Sequence, residues 1–485
     1  MKNHSKRWLV LLLIVVLSIW GWFDVRHRGF VYPDAPQEHR TDLTVYTESG
    51  RAFFDGRNPY EVANPRGWTY LYPPLFALLL SPLSPLQPQN QVLVWFFLSL
   101  LFCWGCYREC RRIVALACDE DPRAAAAWRR RIPWLATAAI VTALLPTLNC
   151  LQRGQVGILK MYLLLLGLRI ILGGRTRRAW FAGGVVLSLP IVLKILPAFP
   201  VGVFLFLEFV AWLRNRRPHE ENAPSAIVAP AKPRFAFSTF GVAVGLPLFF
   251  LVVPAFAVGW SANLRHLDTW GRFMLTKADD GGMDPRSGNS RSARNQSLHN
   301  AVYRFGNFGS YLLAGGPDDR LVERFNSPKM AMDSSATERM LLLARAALGL
   351  ALLALCVRLA RHGGSRLNLA VGFALACVTM LAVSPIARGH YFLLLAPAVL
   401  LVPLWLECRG RPLTGTLLAA TLPVLSVSHY VLLPYAGRVG LLGLGTAAWL
   451  MATMVVMART DWANVRAAGR NDHAVAIGPS LRRAA

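Results

Sequence analysis

Apolar positions in this chain fall in long uninterrupted runs, not in the short alternations of a soluble fold. The runs recur at approximately 8–23, 89–107, 132–149, 156–172, 179–195, 197–213, 235–258, 340–358, 367–385, 390–406, 413–431 and 438–457. Each is long enough for a helix to cross a hydrocarbon core about 30 Å thick. A backbone in lipid must satisfy its own polar groups, so the pattern predicts twelve transmembrane helices. After a basic start at 1–7, the first run is followed by Asp24-Val25-Arg26-His27-Arg28 with no small-residue cleavage site, and it reads as an uncleaved anchor. Polar residues concentrate in two long stretches, approximately 24–88 and 259–339.

Composition agrees with a membrane protein. Of 485 residues, 54% are hydrophobic and 16% charged, against about 25% charged in soluble domains. A net charge of +26 would suggest a nucleic-acid partner. The cations instead flank the apolar runs, as in Arg129-Arg130-Arg131 and Arg214-Asn215-Arg216-Arg217, and no nucleic-acid motif accompanies them. The short connections on one side carry 19 Lys or Arg and those on the other side three. The positive-inside rule then places both termini in the cytoplasm and both long polar stretches outside, in a bacterial inner or plasma membrane. The expected fold is an all-α polytopic bundle over residues 1–460, followed by a disordered cytoplasmic tail over 461–485. Seven of the eight cysteines lie in or beside apolar or inner-side segments, and no disulfide framework is expected. Cys103, Cys106 and Cys110 share a helix face and read as small packing residues, not as metal ligands.

The first polar stretch has its own order. Thr41 can cap a helix from Asp42 to about Phe54, with Gly56 as its stop. Tyr72-Pro73-Pro74-Leu75-Phe76 opens a second apolar segment, broken by Pro82 and Pro85. Both are expected to lie at the membrane interface, the first offering Leu43, Phe53 and Phe54 to lipid. Carboxylates are nearly absent from the spans. Glu208 is the exception, and it is expected to snorkel from the inner end of its helix. Seven carboxylates gather in the first stretch, among them Asp34, Asp42 and Asp55, so a catalytic base would come from this set. Asp42 and Tyr46, four apart, share a helix face; Asp42 can equally be a solvated residue at a helix start. The pairs Asp279-Asp280 and Asp318-Asp319 lie in Gly-flanked loops and read as solvated, so neither a metal nor another cofactor is expected.

A set of short motifs runs in order down the chain. Asp42-Leu43-Thr44-Val45-Tyr46, Gly56-Arg57-Asn58-Pro59-Tyr60 and Tyr70-Leu71-Tyr72-Pro73-Pro74-Leu75 come first. Arg153-Gly154-Gln155-Val156, Lys194-Ile195-Leu196-Pro197, Asn295-Gln296-Ser297-Leu298 with Arg304, and Ser384-Pro385 with His390 follow. This series, over roughly residues 8 to 405, resembles the polyprenyl-phosphate-sugar-dependent transferases of glycosyltransferase family 87, which have the GT-C architecture. One departure stands out. The family often shows an aromatic residue and two adjacent histidines after Ser-Pro, whereas this chain reads Ile386-Ala387-Arg388-Gly389-His390-Tyr391.

The resemblance implies hexose transfer, with mannose the expected sugar, from a polyprenyl-phosphate donor to a lipid-linked or cell-envelope glycan outside the cell, with inversion. Such chemistry needs a base for the acceptor hydroxyl, cations for the departing phosphate and a path for the lipid chain. Asp42 is the expected base. Lys194 either snorkels or binds an anion, and Arg153, Arg304, Arg388 and His390 are further headgroup candidates. Gln155, Asn295 and Gln296 could bond sugar hydroxyls or serve equally as cap and turn residues, with Tyr46 on the same cavity. Tyr72 could stack on a sugar or anchor at the interface. The rival reading is a transporter or flippase of lipid-linked sugars, against which stand the scarcity of intramembrane carboxylates and the absence of an evident inverted repeat.

Overall fold

The computed structural model describes residues 21–25, 31–32, 35–39, 41–63, 69–215, 233–279, 295–298, 335–361, 364–432 and 435–460, with four isolated positions at 15, 19, 27 and 301. The architecture is helical apart from one hairpin, β1 (Val31–Tyr32) with β2 (Ala35–His39), which the pattern did not predict. In order come α1 (Leu43–Phe54), α2 (Pro74–Leu80), α3 (Pro88–Glu120), α4 (Pro122–Arg153), α5 (Gly157–Gly173), α6 (Arg177–Leu193) and α7 (Ala198–Asn215). Then follow α8 (Arg234–Pro247), a π-helical turn at Leu248–Val252, α9 (Val253–Val258), α10 (Trp260–Asp279), α11 (Ser335–Arg361) and α12 (Arg366–Val383). A 3-10 segment at Gly389–Leu395 leads into α13 (Ala396–Glu407), and α14 (Pro412–Val431), α15 (Tyr435–Val439) and α16 (Leu441–Arg459) end the described chain.

Among the described residues seven helices are long and apolar enough to cross a membrane. Four further expected spans correspond to α5, α6, α7 and α14, helices of 17 to 20 residues. The first expected span and the tail at 461–485 lie largely or wholly outside the described residues. The centre of the bundle is α12, buried from Leu367 to Ala382. A helix apolar on every side is stable only when other helices enclose it.

Close approach of helices rests on small residues, since lipid supplies no hydrophobic drive between them. Helices α6 and α8 touch through Gly184 and Gly241: a Cβ at Gly184 would overlap the Ser238 carbonyl, and one at Gly241 the Phe181 carbonyl. Ion pairs tie other helix ends. Glu407 accepts from Arg130 and Arg131, each at 3.1 Å, which joins α13 to α4. Glu208 is 3% exposed and pairs with Arg234 at 2.5 Å while accepting from Ser238 Oγ at 2.8 Å. It therefore does not snorkel. Its charge is compensated within the bundle, which makes water unnecessary.

The first polar stretch corrects one expectation. Leu43 and Phe53 are each only 1% exposed and pack inward with Tyr60, Tyr70, Phe76 and Trp95; only Phe54, at 49%, faces outward. Periodicity defines an apolar face but not whether lipid or protein covers it. Helix α10 was not expected in the second stretch. It packs back on the first, with Trp270 Nε1 donating to the Leu71 carbonyl at 3.3 Å and His266 against Phe53 at 5.1 Å.

The glycine contact between α6 and α8 gives a direct test. Gly184→Val should separate the two helices and destabilise the fold by about 1–3 kcal/mol. Thermal unfolding in detergent should show a lower Tm than for wild type; an unchanged Tm would mean the backbone approach is not tight.

Candidate active site

Helix α4 ends because Gly154 adopts φ +64, a left-handed conformation that costs a residue without a Cβ little. The turn sets Arg153 and Gln155 on either side of Asp42. Arg153 donates to Asp42 Oδ2 from Nε at 3.1 Å and from Nη2 at 3.0 Å, and Gln155 Nε2 donates to the same oxygen at 2.5 Å. The Asp42 amide closes the junction on the Arg153 carbonyl at 3.0 Å. Asp42 occupies the cap position of α1, yet its carboxylate makes no capping bond, and the residue is 8% exposed. It is therefore not a solvated helix start. Among the described residues no hydrogen bond reaches Oδ1, which leaves that oxygen for a ligand.

Tyr46, one turn along α1, donates to Gln155 Oε1 at 3.3 Å and meets the Tyr72 hydroxyl at 3.1 Å. Burial first, then Tyr72 and Asp42, hold the Tyr46 phenol well above its ordinary pKa, so it stays protonated and can donate. Burial raises Tyr72 likewise. Tyr72 sits in an aromatic cluster with Tyr46 and Phe76, so it is no surface anchor.

Beyond Tyr72 the site turns cationic. Lys194 stands in extended backbone at the break between α6 and α7, with Nζ 5.5 Å from the Tyr72 ring centroid and bonded to the Tyr391 hydroxyl. Lys160, on α5, lies over the Tyr391 ring, 5.1 Å from its centroid. Among the described residues neither lysine has a carboxylate partner. Sequence reasoning passed over Lys160, although a lysine inside an apolar span is itself a signal of function. His390 is buried and among the described residues neither ring nitrogen is hydrogen-bonded, while Arg153, Lys194, Lys160 and Arg388 all lie close enough to act on it electrostatically.

Asn295 and Gln296 make backbone contacts of the turn-holding kind. Asn295 donates to the Pro385 carbonyl at 3.1 Å and accepts from the amides of Ala387 at 3.0 Å and Ser297 at 3.1 Å. Gln296 donates to the Ala387 carbonyl through its amide at 2.7 Å and to the Gly437 carbonyl through Nε2 at 2.9 Å. The two residues clamp the loop that carries Arg388 and His390. Arg304 and Asp34 lie outside the described residues. Asp55 is half exposed and paired with Arg57 at 3.0 Å, apart from this cluster.

A sequence profile described as glycosyltransferase family 87 matches residues 70–385, well over half of the chain. The chain belongs to glycosyltransferase family 87. Family 87 is, by that description, a family of glycosyltransferases. The profile spans Tyr72, Arg153, Gln155, Lys160, Lys194, Asn295 and Gln296, while Asp42, Tyr46, Arg388 and His390 lie outside it. Among curated proteins, the family 87 chain is similar to the polyprenol-phosphate-mannose-dependent alpha-(1-2)-phosphatidylinositol mannoside mannosyltransferase of Mycolicibacterium smegmatis, 27% identical over 237 residues. The match covers 46% of this chain and 48% of that relative, about half the length of each. No solved structure matches.

Removing the Asn295 clamp should loosen the loop before His390. Asn295→Ala abandons three hydrogen bonds, and each buried group left without a partner costs about 1–3 kcal/mol. A lower Tm in detergent, with faster proteolysis of the family 87 protein, is the expected outcome; wild-type values for both would show that the clamp carries no load.

Proposed function

We propose that the protein transfers a hexose, mannose in the first instance, from a polyprenyl-phosphate sugar to a lipid-linked or cell-envelope glycan on the extracytoplasmic face. The observation that carries this reading is a buried carboxylate, Asp42, with one oxygen open among the described residues, in a site that also holds two lysines without carboxylate partners there. Asp42 Oδ1 takes the proton of the acceptor hydroxyl as that oxygen attacks the anomeric carbon. The bond from that carbon to the phosphate oxygen breaks, and its electron pair leaves with the phosphate. Lys160, Lys194 and Arg388 receive the departing charge. One displacement inverts the anomeric centre, and a phosphate leaving group needs no separate acid. Arg153 and Gln155 orient Asp42, and Tyr46 supports Gln155.

A lipid donor needs a route for its tail. A cavity of about 600 Å³ lies between α3, α4 and α13, lined by apolar residues that include Ile132, Ile140, Met161 and Leu400. Ile158 and Leu393, beside the site, also line it, and we assign it to the polyprenyl chain. The relative's donor, a polyprenol-phosphate mannose, favours mannose here. Orientation follows from charge: Arg130 and Arg131 stand near the start of α4 and Arg153 at its end, so the positive-inside rule puts Asp42 outside. In this reading residues 1–460 form one GT-C domain of twelve spans with both termini cytoplasmic, and α1 and α2 lie at the outer interface.

The test is transfer from radiolabelled polyprenyl-phosphate mannose to endogenous lipid in membranes holding equal amounts of each variant. Asp42→Asn should lower transfer by about 10²-fold or more. Lys160→Met should weaken donor binding, seen as a raised KM, with Lys160→Arg closer to wild type. Equal transfer by wild type and Asp42→Asn would remove Asp42 as the base.

A further inference from the structure

Helix α14 lies beyond the residues that the family profile matches, yet its last turn reaches the candidate site. Ser426 donates to the Thr142 carbonyl at 2.9 Å, which pins α14 to the part of α4 that leads to Cys150 and Arg153. One turn further, His429 is buried and Tyr430 stands edge-on to it, ring centroids 5.0 Å apart. The Tyr430 hydroxyl is itself buried, has no hydrogen bond among the described residues, and lies within electrostatic reach of Arg153 and Cys150.

Gly389 sits directly before this hydroxyl. A Cβ there would stand 2.8 Å from Tyr430 Oη and 3.9 Å from His429 Nε2, so glycine lets the loop and the phenol approach. His390 comes next in the chain, its carbonyl accepting from Cys150 Sγ at 3.6 Å and its two ring nitrogens unbonded. Buried polar atoms without partners are rare, because each gives up bonds that water would supply. One phenol and one imidazole beside a glycine make a polar subsite, able both to donate and to accept. Its natural ligand is a group bearing several hydroxyls.

We infer that Tyr430 and His390 hydrogen-bond ring hydroxyls of the hexosyl group being transferred, and that Tyr430 helps decide which hexose is accepted. This rests on the donor reading above. The reacting carbon must lie between Asp42 and the cations that hold the phosphate. Arg153 bonds Asp42, and Cys150, one turn before it, bonds the His390 carbonyl beside Gly389 and Tyr430, so the rest of the sugar ring faces these two side chains. A site built to bond a hydroxyl discriminates strongly against a sugar that lacks it.

Tyr430→Phe tests this, because it keeps the ring and removes one oxygen. Initial rates are measured with polyprenyl-phosphate mannose and with its monodeoxy analogues, each missing one ring hydroxyl, after size exclusion verifies equal folded protein. The variant should lose about 10- to 100-fold in kcat/KM on the full sugar, and should match wild type on the one analogue that lacks the partner hydroxyl. Equal rates on the full sugar, or the same loss on every analogue, overturns the contact. A wild type that transfers no hexose from any polyprenyl-phosphate donor overturns the donor reading and this inference with it, an outcome that does not depend on Tyr430.

Discussion

A carboxylate withdrawn from water persists as an ion only where donors and opposite charge replace its hydration, and Asp42 imposes that requirement on the chain around it. Arg153 and Gln155 are two residues apart, and a regular helix would point them in widely different directions. The left-handed turn at Gly154 brings both onto one oxygen. A Cβ at Gly154 would also come within 3.0 Å of Leu43 Cβ, so the same glycine permits α1 to start against the end of α4. Leu43 and Val156 then bury in one apolar cluster. The start of α1, the end of α4 and the beginning of α5 are held by a single junction, and Tyr46 and Tyr72 are positioned from it.

The two lysines have a different electrostatic character. Tyr391 offers each a ring face, and Lys194 its hydroxyl as well. Cation–π contacts of this kind are worth roughly 0.5–2 kcal/mol, less than the cost of removing an ammonium from water. The phosphate of the proposed donor, set beside Lys160 and Lys194, would offset that cost. Groups fixed beforehand around the position of developing charge need not reorganise during the reaction, which is the main way such sites lower a barrier.

Much of this was legible in the chain, for reasons that differ between residues. Apolar runs gave the helices because lipid allows few alternatives; Lys194 stood out because an ammonium in a span needs a partner, and Arg153 and Gln155 through the family resemblance of the motif that holds them. Lys160 was equally exposed by that rule but was absorbed into a run judged by its average hydropathy. The clamp by Asn295 was not legible. Its partners Pro385 and Ala387 lie some ninety residues away, and nothing local distinguishes an amide that bonds a sugar from one that bonds a backbone. The inward turn of Leu43 and Phe53 escaped for a related reason: their cover comes from residues such as Tyr70, Trp95 and Val156, distant in sequence.

The two ends of the bundle treat charge in opposite ways, and this contrast separates structure from function. Toward the ends of α3, α5, α7 and α13, buried carboxylates are matched within the protein: Glu109 by Arg169 at 2.6 Å and Arg112 at 2.9 Å, Glu208 by Arg234, and Glu407 by Arg130 and Arg131. Matched pairs of this kind add little affinity for anything else, since each charge already has its complement. At the other end one carboxylate, Asp42, keeps an oxygen open, while Lys160 and Lys194 face aromatic rings and His390 bonds nothing through its ring. Partners withheld on both sides, one negative and several positive, fit a reaction in which a proton leaves the acceptor as charge builds on a phosphate. A structural role alone would have paired them.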